Sequence, residues 1–256
     1  MYQPEIYDVT WPGSFAGDID FYRAKARTSG GPVLELGAGT GRIAIPIARD
    51  GIDVYALDLE TPMLDRLRLK LEAETPEVRG RVTIVHADMR TFAIDRQFPV
   101  VFAPFRAFLH NVTVDDRLAC LARVREHLAP GGRFVFNVFH PSLALMAHNV
   151  GPLESTWRVR GMFASPDGGC VVRSEASRYD TVRQIVYSLH RFEEYTPDGV
   201  LTRTALQRME LGYLYPSDIT HLLTQAGFDA IDIAGGFDGR PLQRDTDELV
   251  IEARTD

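Results

Sequence analysis

Short apolar runs alternate with amphipathic stretches through the first half of the chain, and this alternation constrains the fold more than any other feature. The runs are "PVLELG" from Pro32, "DVYALDL" from Asp53, "RVTIVHAD" from Arg81, "FPVVFAP" from Phe98 and "RFVFNVFH" from Arg133. Their near-continuous apolar character is that of strands covered on both faces. Between them lie "GRIAIPIARDG", "TPMLDRLRLKLEAE" and "DDRLACLARVREHLAPGG", with apolar residues at helical spacing. Thr61 is the expected cap of the second of these helices, with Pro62 at its first position. A glycine is expected to end the third. Such an alternation predicts an α/β fold, a parallel sheet with helices on both faces.

The pattern changes towards the end. Residues 151–214 carry the strand-like runs "CVVRSEASRYD", "RQIVYSLHRFEEYT" and "TRTALQRMELGYL", with "PDG" at 197–199 marking a hairpin turn. They read as an antiparallel β insertion after the fifth strand. A helix over Ser217–Ala226 with Gly227 behind it resumes the α/β pattern, and two strands, "DAIDIAGG" and "DELVIEAR", close it. Residues 1–31 hold Tyr2, Tyr7, Trp11, Phe15, Phe21 and Tyr22 and one helical stretch, "GDIDFYRAKAR".

With 256 residues, the chain suffices for one α/β domain with an elaboration. The opening "MYQPEIYDVTWPG" has neither the basic flank nor the apolar core of a signal peptide, and no apolar run is long enough to span a bilayer. The expected location is therefore the cytoplasm, with no membrane partner. Cys120 and Cys170 lack metal or disulfide spacing and read as free thiols. Acidic residues outnumber Lys and Arg by 35 to 28, a net charge of −7 that disfavours nucleic acid as partner. The preference for Arg over Lys reflects codon bias in a GC-rich genome, as in many bacteria.

The segment "VLELGAGTGR" reads as a strand, a three-glycine loop and a helix start. A dinucleotide fingerprint has the spacing G-x-G-x-x-G, with a pyrophosphate on the helix N-terminus. Here Gly37, Gly39 and Gly41 give G-x-G-x-G, and Glu35 stands at the loop mouth. A carboxylate there repels a phosphate but receives an ammonium, directly or through water. Asp58 ends the second strand, where an acid accepts hydrogen bonds from ribose hydroxyls. Asp88, in "HADMR", lies just beyond the third strand, placed to accept from an adenine amine with Met89 beside the ring. Adenine, ribose and an amino acid together describe S-adenosyl-L-methionine.

These motifs, with "ALDLETPML" and "LAPGGRFVFNVF" in order, resemble the class I methyltransferases that use S-adenosylmethionine. The resemblance covers about residues 32–140 and 216–256. It implies a Rossmann-like seven-stranded sheet whose antiparallel last strand hairpins with the sixth, which the two helix-free terminal strands match. It further implies that Gly37, Ala38 and Gly39 pack on the methionine part of the cofactor. Asp58 would bind the ribose, Leu59 and Met89 flank the adenine, and Asp88 hold its amine. Phe105 joins the cofactor contacts through the segment "APFRAFLHN", which faces the transferable methyl in that family. On this basis residues 1–31 form an aromatic lid and helix, 32–150 and 215–256 the cofactor domain, and 151–214 a canopy over the acceptor.

The segment at 103–111 lacks the Asn/Asp-Pro-Pro-aromatic run used on base and glutamine amino groups. It also lacks a strand-end acid for magnesium and a Pro-Cys nucleophile. A small-molecule acceptor and metal-independent in-line transfer remain, in a layout similar to bacterial amino-sugar and glycine-type N-methyltransferases. His110 is the candidate base for a hydroxyl acceptor, or else a helix-capping or backbone-bonded histidine. Tyr7 and Trp11 either close over the sulfonium or pack as ordinary core. Arg106 reads as a partner of a surface acid before an acceptor anchor, and His86 and His140 as structural. Arg158, Tyr179, Tyr187 and Arg191 are individually weak candidates for acceptor contacts. Alternative readings are a nicotinamide-dependent oxidoreductase, a non-catalytic S-adenosylmethionine-binding protein, and an RNA or protein methyltransferase. A homodimer is an open expectation that no sequence signal decides.

Overall fold

A computed structural model describes residues 3–11, 15–149, 152–153 and 157–255. Tyr2 of the expected lid lies outside them. Seven strands form one sheet: β1 (Val33–Leu36), β2 (Val54–Asp58), β3 (Val82–His86), β4 (Phe98–Ala103), β5 (Leu128–Phe139), β10 (Ala230–Ala234) and β11 (Glu248–Arg254). Their order is β10-β11-β5-β4-β1-β2-β3. β1 to β5 run parallel, whereas β11 is antiparallel to both β5 and β10. The terminal hairpin expected from the sequence is therefore present.

Helices α2 (Asp18–Ser29), α3 (Ala44–Arg49), α4 (Thr61–Glu72) and α5 (Pro76–Gly80) precede or link the first three strands. α6 (Val114–His127) and α8 (Pro216–Gln225) lie further along the chain, and α7 (Leu143–Ala147) follows β5. The two large apolar clusters include opposite faces of the strands. Val33, Val54, Val100 and Val135 belong to one, with residues of α2, α3 and α4; Leu34, Val101, Phe134 and Phe136 belong to the other, with residues of α6 and α8. Burial on both faces explains the continuous apolar runs. Among the described residues, no helix is long and apolar enough to cross a membrane.

Four local expectations need correction. α4 starts one residue early: Thr61 is already helical and Glu60 is the N-cap, its N–H held by Asp58 Oδ1 at 2.8 Å. No glycine ends α6. The helix stops at His127, and β5 takes up Leu128 directly, with Gly131 at φ +68° beside a register shift against β4. The insertion has four strands instead of three: β6 (Arg158–Ala164), β7 (Cys170–Asp180), β8 (Ile185–Tyr195) and β9 (Leu201–Gly212), in that order and antiparallel. β6 escapes a pattern search because it is an edge strand, interrupted by Gly161 at a bulge and largely exposed. Finally, a further helix, α1 (Pro4–Thr10), stands before α2, with Pro4 in its first turn.

α1 lies between the two sheets. Its Ile6 packs with Val171, Phe192 and Ala205 of the insertion. From its other side Asp8 accepts from Thr40 Oγ1 (2.7 Å), Arg66 Nε (2.8 Å) and Lys70 Nζ (3.1 Å). α2 is fixed through the buried pair Asp18–Arg42, with contacts of 2.6 and 3.1 Å. The same guanidinium lies 4.8 Å from the centre of the Phe105 ring. Removing one partner of a buried pair strands the other charge, at a cost of about 3–5 kcal/mol. Asp18→Ala should therefore lower the unfolding free energy by that order in urea titrations. Exposed Asp65→Ala, which breaks only the surface pair with Arg68, should cost less than about 1 kcal/mol.

Candidate active site

The sheet order reverses between β1 and β4, and ligands of open α/β sheets bind outside the carboxyl ends of strands at such a point. A cavity of about 380 Å³ opens there. Its floor is the loop after β1. Gly37 and Gly39 have φ of +72° and +56°, and a Cβ on Gly37 would meet the Ala107 Cβ at 2.7 Å. Glycine is thus demanded at position 37 both by the left-handed turn and by the approach of the segment after β4.

That segment carries Phe105 and Arg106, both left-handed at φ +55° and +66°. Asn137 of β5 holds it: its Oδ1 accepts from Phe105 N (2.8 Å) and from the Tyr22 hydroxyl (2.9 Å). Its Nδ2 donates to Glu248, which also pairs with Arg106 at 2.6 Å. Asn137 is fully buried, and its amide ties the segment to α2 and β11 from within the sheet. Sequence reading missed Asn137, because a lone polar residue inside an apolar strand was its only signal.

Ten of the expected site residues line this one cavity: Tyr7, Trp11, Gly37, Gly39, Asp58, Leu59, Asp88, Met89, Phe105 and His110. Glu35 and Ala38 do not. Ala38 turns into the core, and its N–H donates to Leu57 O. Glu35, on β1 between Ala56 and Phe102 of the neighbouring strands, is 2% exposed and lies beneath the loop.

The three carboxylates differ in state. Burial pushes Glu35 up to about 8, with Arg42 opposing and Asp58 adding to the shift. One of its oxygens, Oε2, is buried and has no hydrogen-bond partner among the described residues. Burial also raises Asp58, against hydrogen bonds from the N–H groups of Glu60 and Gly39, the latter at 2.7 Å. Leu59 N–H adds a third such bond, and three accepted bonds still leave a carboxylate a lone pair for a hydroxyl donor. Asp88 is lowered by hydrogen bonds from Arg90, whose guanidinium reaches both oxygens at 2.5–3.1 Å and continues to Asp116 at 2.7 Å. Asp88 thus has less free capacity than Asp58.

Met89 Sδ accepts from Asn111 Nδ2 at 3.3 Å. The rings of Tyr7 and Trp11 meet Phe105 edge-on, at 6.2 and 5.5 Å between centroids. Trp11 also carries Arg173 on a face, 3.6 Å from its centre. Burial pushes the Tyr7 hydroxyl up to about 12. His110 ends a short 3₁₀ turn and is exposed to the cavity, but surrounding protein pushes its pKa down to about 4, so the ring is neutral at pH 7.

From the insertion the cavity takes His190, Phe192, Gln207, Met209 and Leu211. The sequence candidates there do not line it. Arg191 lies over Trp157, Tyr187 receives Arg178, and Tyr179 packs on Tyr213. Arg158 is exposed on the edge strand. Alternation excludes Arg191 and Tyr187, which point to the face opposite His190 and Phe192, whereas Tyr179 and Arg158 share the face of Glu175 and His190 by register but lie outside the cavity. Arg106 pairs with Glu248 as expected, and His86 hydrogen-bonds Leu59 O at 3.0 Å. His140 meets Tyr215 edge-on.

Residues 33–132 match the model of a methyltransferase domain family. The chain is 28% identical over 153 residues to the cypemycin N-terminal methyltransferase of a Streptomyces species, covering 56% of this chain and 60% of that one. It is 28% identical over 135 residues to the dTDP-3-amino-3,4,6-trideoxy-alpha-D-glucopyranose N,N-dimethyltransferase of Streptomyces venezuelae, covering 50% and 53%. These matches therefore span little more than half the length of the curated relatives. The structure of the CcbJ methyltransferase from Streptomyces caelestis superposes with a TM-score of 0.76 at 28% identity, over 96% of this chain and all of that one. The fold is that of a class I methyltransferase. Within it, residues 33–132 are a methyltransferase domain.

The raised Glu35 sets a pH dependence. Its folded pKa, about 8, lies above the ordinary glutamate value of 4.5. A carboxyl raised in this way favours the folded state below about pH 4.5 and loses that contribution as pH rises to about 8. Glu35→Gln should therefore unfold at higher urea concentration than the wild type at pH 9. The two should converge towards pH 4.5.

Proposed function

We propose that this chain transfers a methyl group from S-adenosyl-L-methionine to a nitrogen or oxygen of a small-molecule acceptor, without a metal. The carrying observation is the meeting of ten expected site residues, with Gly37, Gly39, Asp58 and Asp88 among them, at one cavity over the switch point of the sheet. Glu35 lies beneath the loop with its Oε2 unpartnered, placed to receive the ammonium end of the cofactor through water. The cavity fits the rest of the cofactor, with Asp58 for ribose hydroxyls, Leu59 and Met89 beside the adenine, and Asp88 for its amine. When bound, the cofactor supplies an electrophilic methyl on a sulfonium.

This chain's residues then orient and enclose. Gly37 and Gly39 let the methionine part approach the backbone. Tyr7, Trp11 and Phe105 exclude water and offer aromatic surface to a cation. Alignment of two reactants in a closed site is worth about 7–11 kcal/mol of barrier. The neutral ring of His110 is a proton acceptor within the same cavity. Residues 1–31 serve as lid, 32–150 and 215–256 as cofactor domain, and 151–214 as canopy. The relatives' names point to amino groups as acceptors and their organisms are bacteria; the location that fits this reading is the cytoplasm. The net charge of −7 and the roof formed by lid and canopy favour a small acceptor over nucleic acid.

S-adenosylhomocysteine should raise the melting temperature, since it binds the native state alone, and Asp58→Ala should remove most of the shift. A shift from NAD in place of S-adenosylhomocysteine would overturn the reading in favour of an oxidoreductase.

His110→Gln should leave S-adenosylhomocysteine affinity unchanged. If His110 takes the acceptor proton, turnover should fall by about 10²–10⁴-fold. Unchanged turnover would assign His110 to packing alone.

A further inference from the structure

The canopy brings polar groups to the roof of the cavity that no cofactor contact uses. Pairing across β7, β8 and β9 aligns Glu175, His190 and Gln207 in one row. Two residues on, the pleat returns Phe192 and Met209 to the same face, and His190, Phe192, Gln207 and Met209 all line the cavity. His190 is 3% exposed, yet neither ring nitrogen has a hydrogen-bond partner among the described residues. Its ring is held by aromatic contacts instead. Phe192 stacks on it at 6.2 Å and 17°, and Trp11 meets it edge-on at 6.3 Å. The imidazole is thus oriented with both nitrogens uncommitted, an arrangement that is costly unless something else completes it.

The charges nearby define what completes it. Glu175, next in the row, is taken by Arg160 at 3.0 Å, and Arg106 by Glu248. The carboxylates lining the cavity, Asp58, Glu60 and Asp88, come from the loops after β2 and β3 and not from the canopy. Arg173, the cross-strand partner of Phe192, has no ion pair among the described residues, but it lies over the face of Trp11 and does not line the cavity, so the groups that the canopy presents to the cavity are uncharged. A neutral imidazole offers one donor and one acceptor, and the Gln207 amide offers both. A hydroxyl, uncharged and able to donate and accept at once, matches that set.

Resting on the methyl-transfer reading, we propose that His190 and Gln207 form the specificity pair that binds a hydroxyl group of the acceptor. They position the acceptor from the roof while its nucleophile faces the cofactor pocket, and they select hydroxylated amines over plain alkyl amines.

The test uses ¹⁵N-histidine-labelled protein, with and without saturating S-adenosylhomocysteine, titrated with trans-2-aminocyclohexanol or cyclohexylamine. These probes carry the same charge and differ by one hydroxyl. The aminoalcohol should shift the His190 ring signals and bind the wild type about tenfold or more tightly than cyclohexylamine. His190→Phe keeps the aromatic stack, and Gln207→Met keeps the volume. Each should abolish the preference while S-adenosylhomocysteine affinity stays unchanged. Equal affinity for the two probes, a preference that survives both variants, or no His190 shift in either state would overturn the proposal. Those results with S-adenosylhomocysteine still bound would leave the methyl-transfer reading standing. Failure of S-adenosylhomocysteine to bind would remove that reading, while the titration without it still reports on the roof.

Discussion

The contact between Gly37 and Ala107 governs the site, because there is no room in it for a single additional carbon. It joins the loop after β1 to the segment after β4 across the switch point of the sheet. Ala107 reaches that position only because Phe105 and Arg106 adopt left-handed backbone conformations, which are unfavourable for residues with side chains. Asn137 holds this geometry from within β5, and Tyr22 of α2 and Glu248 of β11 hold Asn137. Three elements distant in sequence thus converge on one buried amide. The strain next to the cavity is sustained by hydrogen bonds to one fully buried amide.

The electrostatics of the cavity follow from where each carboxylate sits in the sheet. Glu35 lies inside a central strand, so desolvation dominates and its proton is held far above the ordinary range. Asp58 stands at a strand end, where backbone N–H groups partly offset burial. Asp88 lies past the strand in reach of Arg90, and pairing overrides desolvation. Three acids of similar chemistry thus give a proton-bearing group, a partly committed acceptor and a neutralised pair. Of the three, Asp58 is the acid left to accept from a ligand in the cavity.

Much of this was legible in the sequence for a definite reason. The glycine spacing, Asp58 and the helix-free terminal strands report backbone geometry, and backbone geometry follows local pattern. Ten of the expected residues accordingly meet at one cavity. Pattern failed where the determining partner is remote. The end of α6 is set by pairing of Leu128 with Phe98 across the sheet, not by the glycines that follow. β6 is an edge strand with little burial to imprint alternation. Arg191 and Tyr187 were plausible only until register assigned the inward face of β8 to His190 and Phe192. Nothing local marks which of two alternating faces looks inward.

Helix α1 connects these levels. Asp8 of α1 gathers donors from Thr40 in the glycine loop and from Arg66 and Lys70 on α4, while Ile6, two residues earlier and on the opposite side of the helix, packs into the insertion. A short helix of seven residues has little stability of its own, so its position depends on both neighbours being in place. Displacing it would expose apolar canopy surface on one side and leave a half-buried carboxylate and two cations unpaired on the other. Trp11, at the end of the same helix, touches both Phe105 above the cofactor loop and His190 in the roof. The packing therefore couples the segment over the glycine loop to the roof of the cavity, through one aromatic side chain held between two sheets.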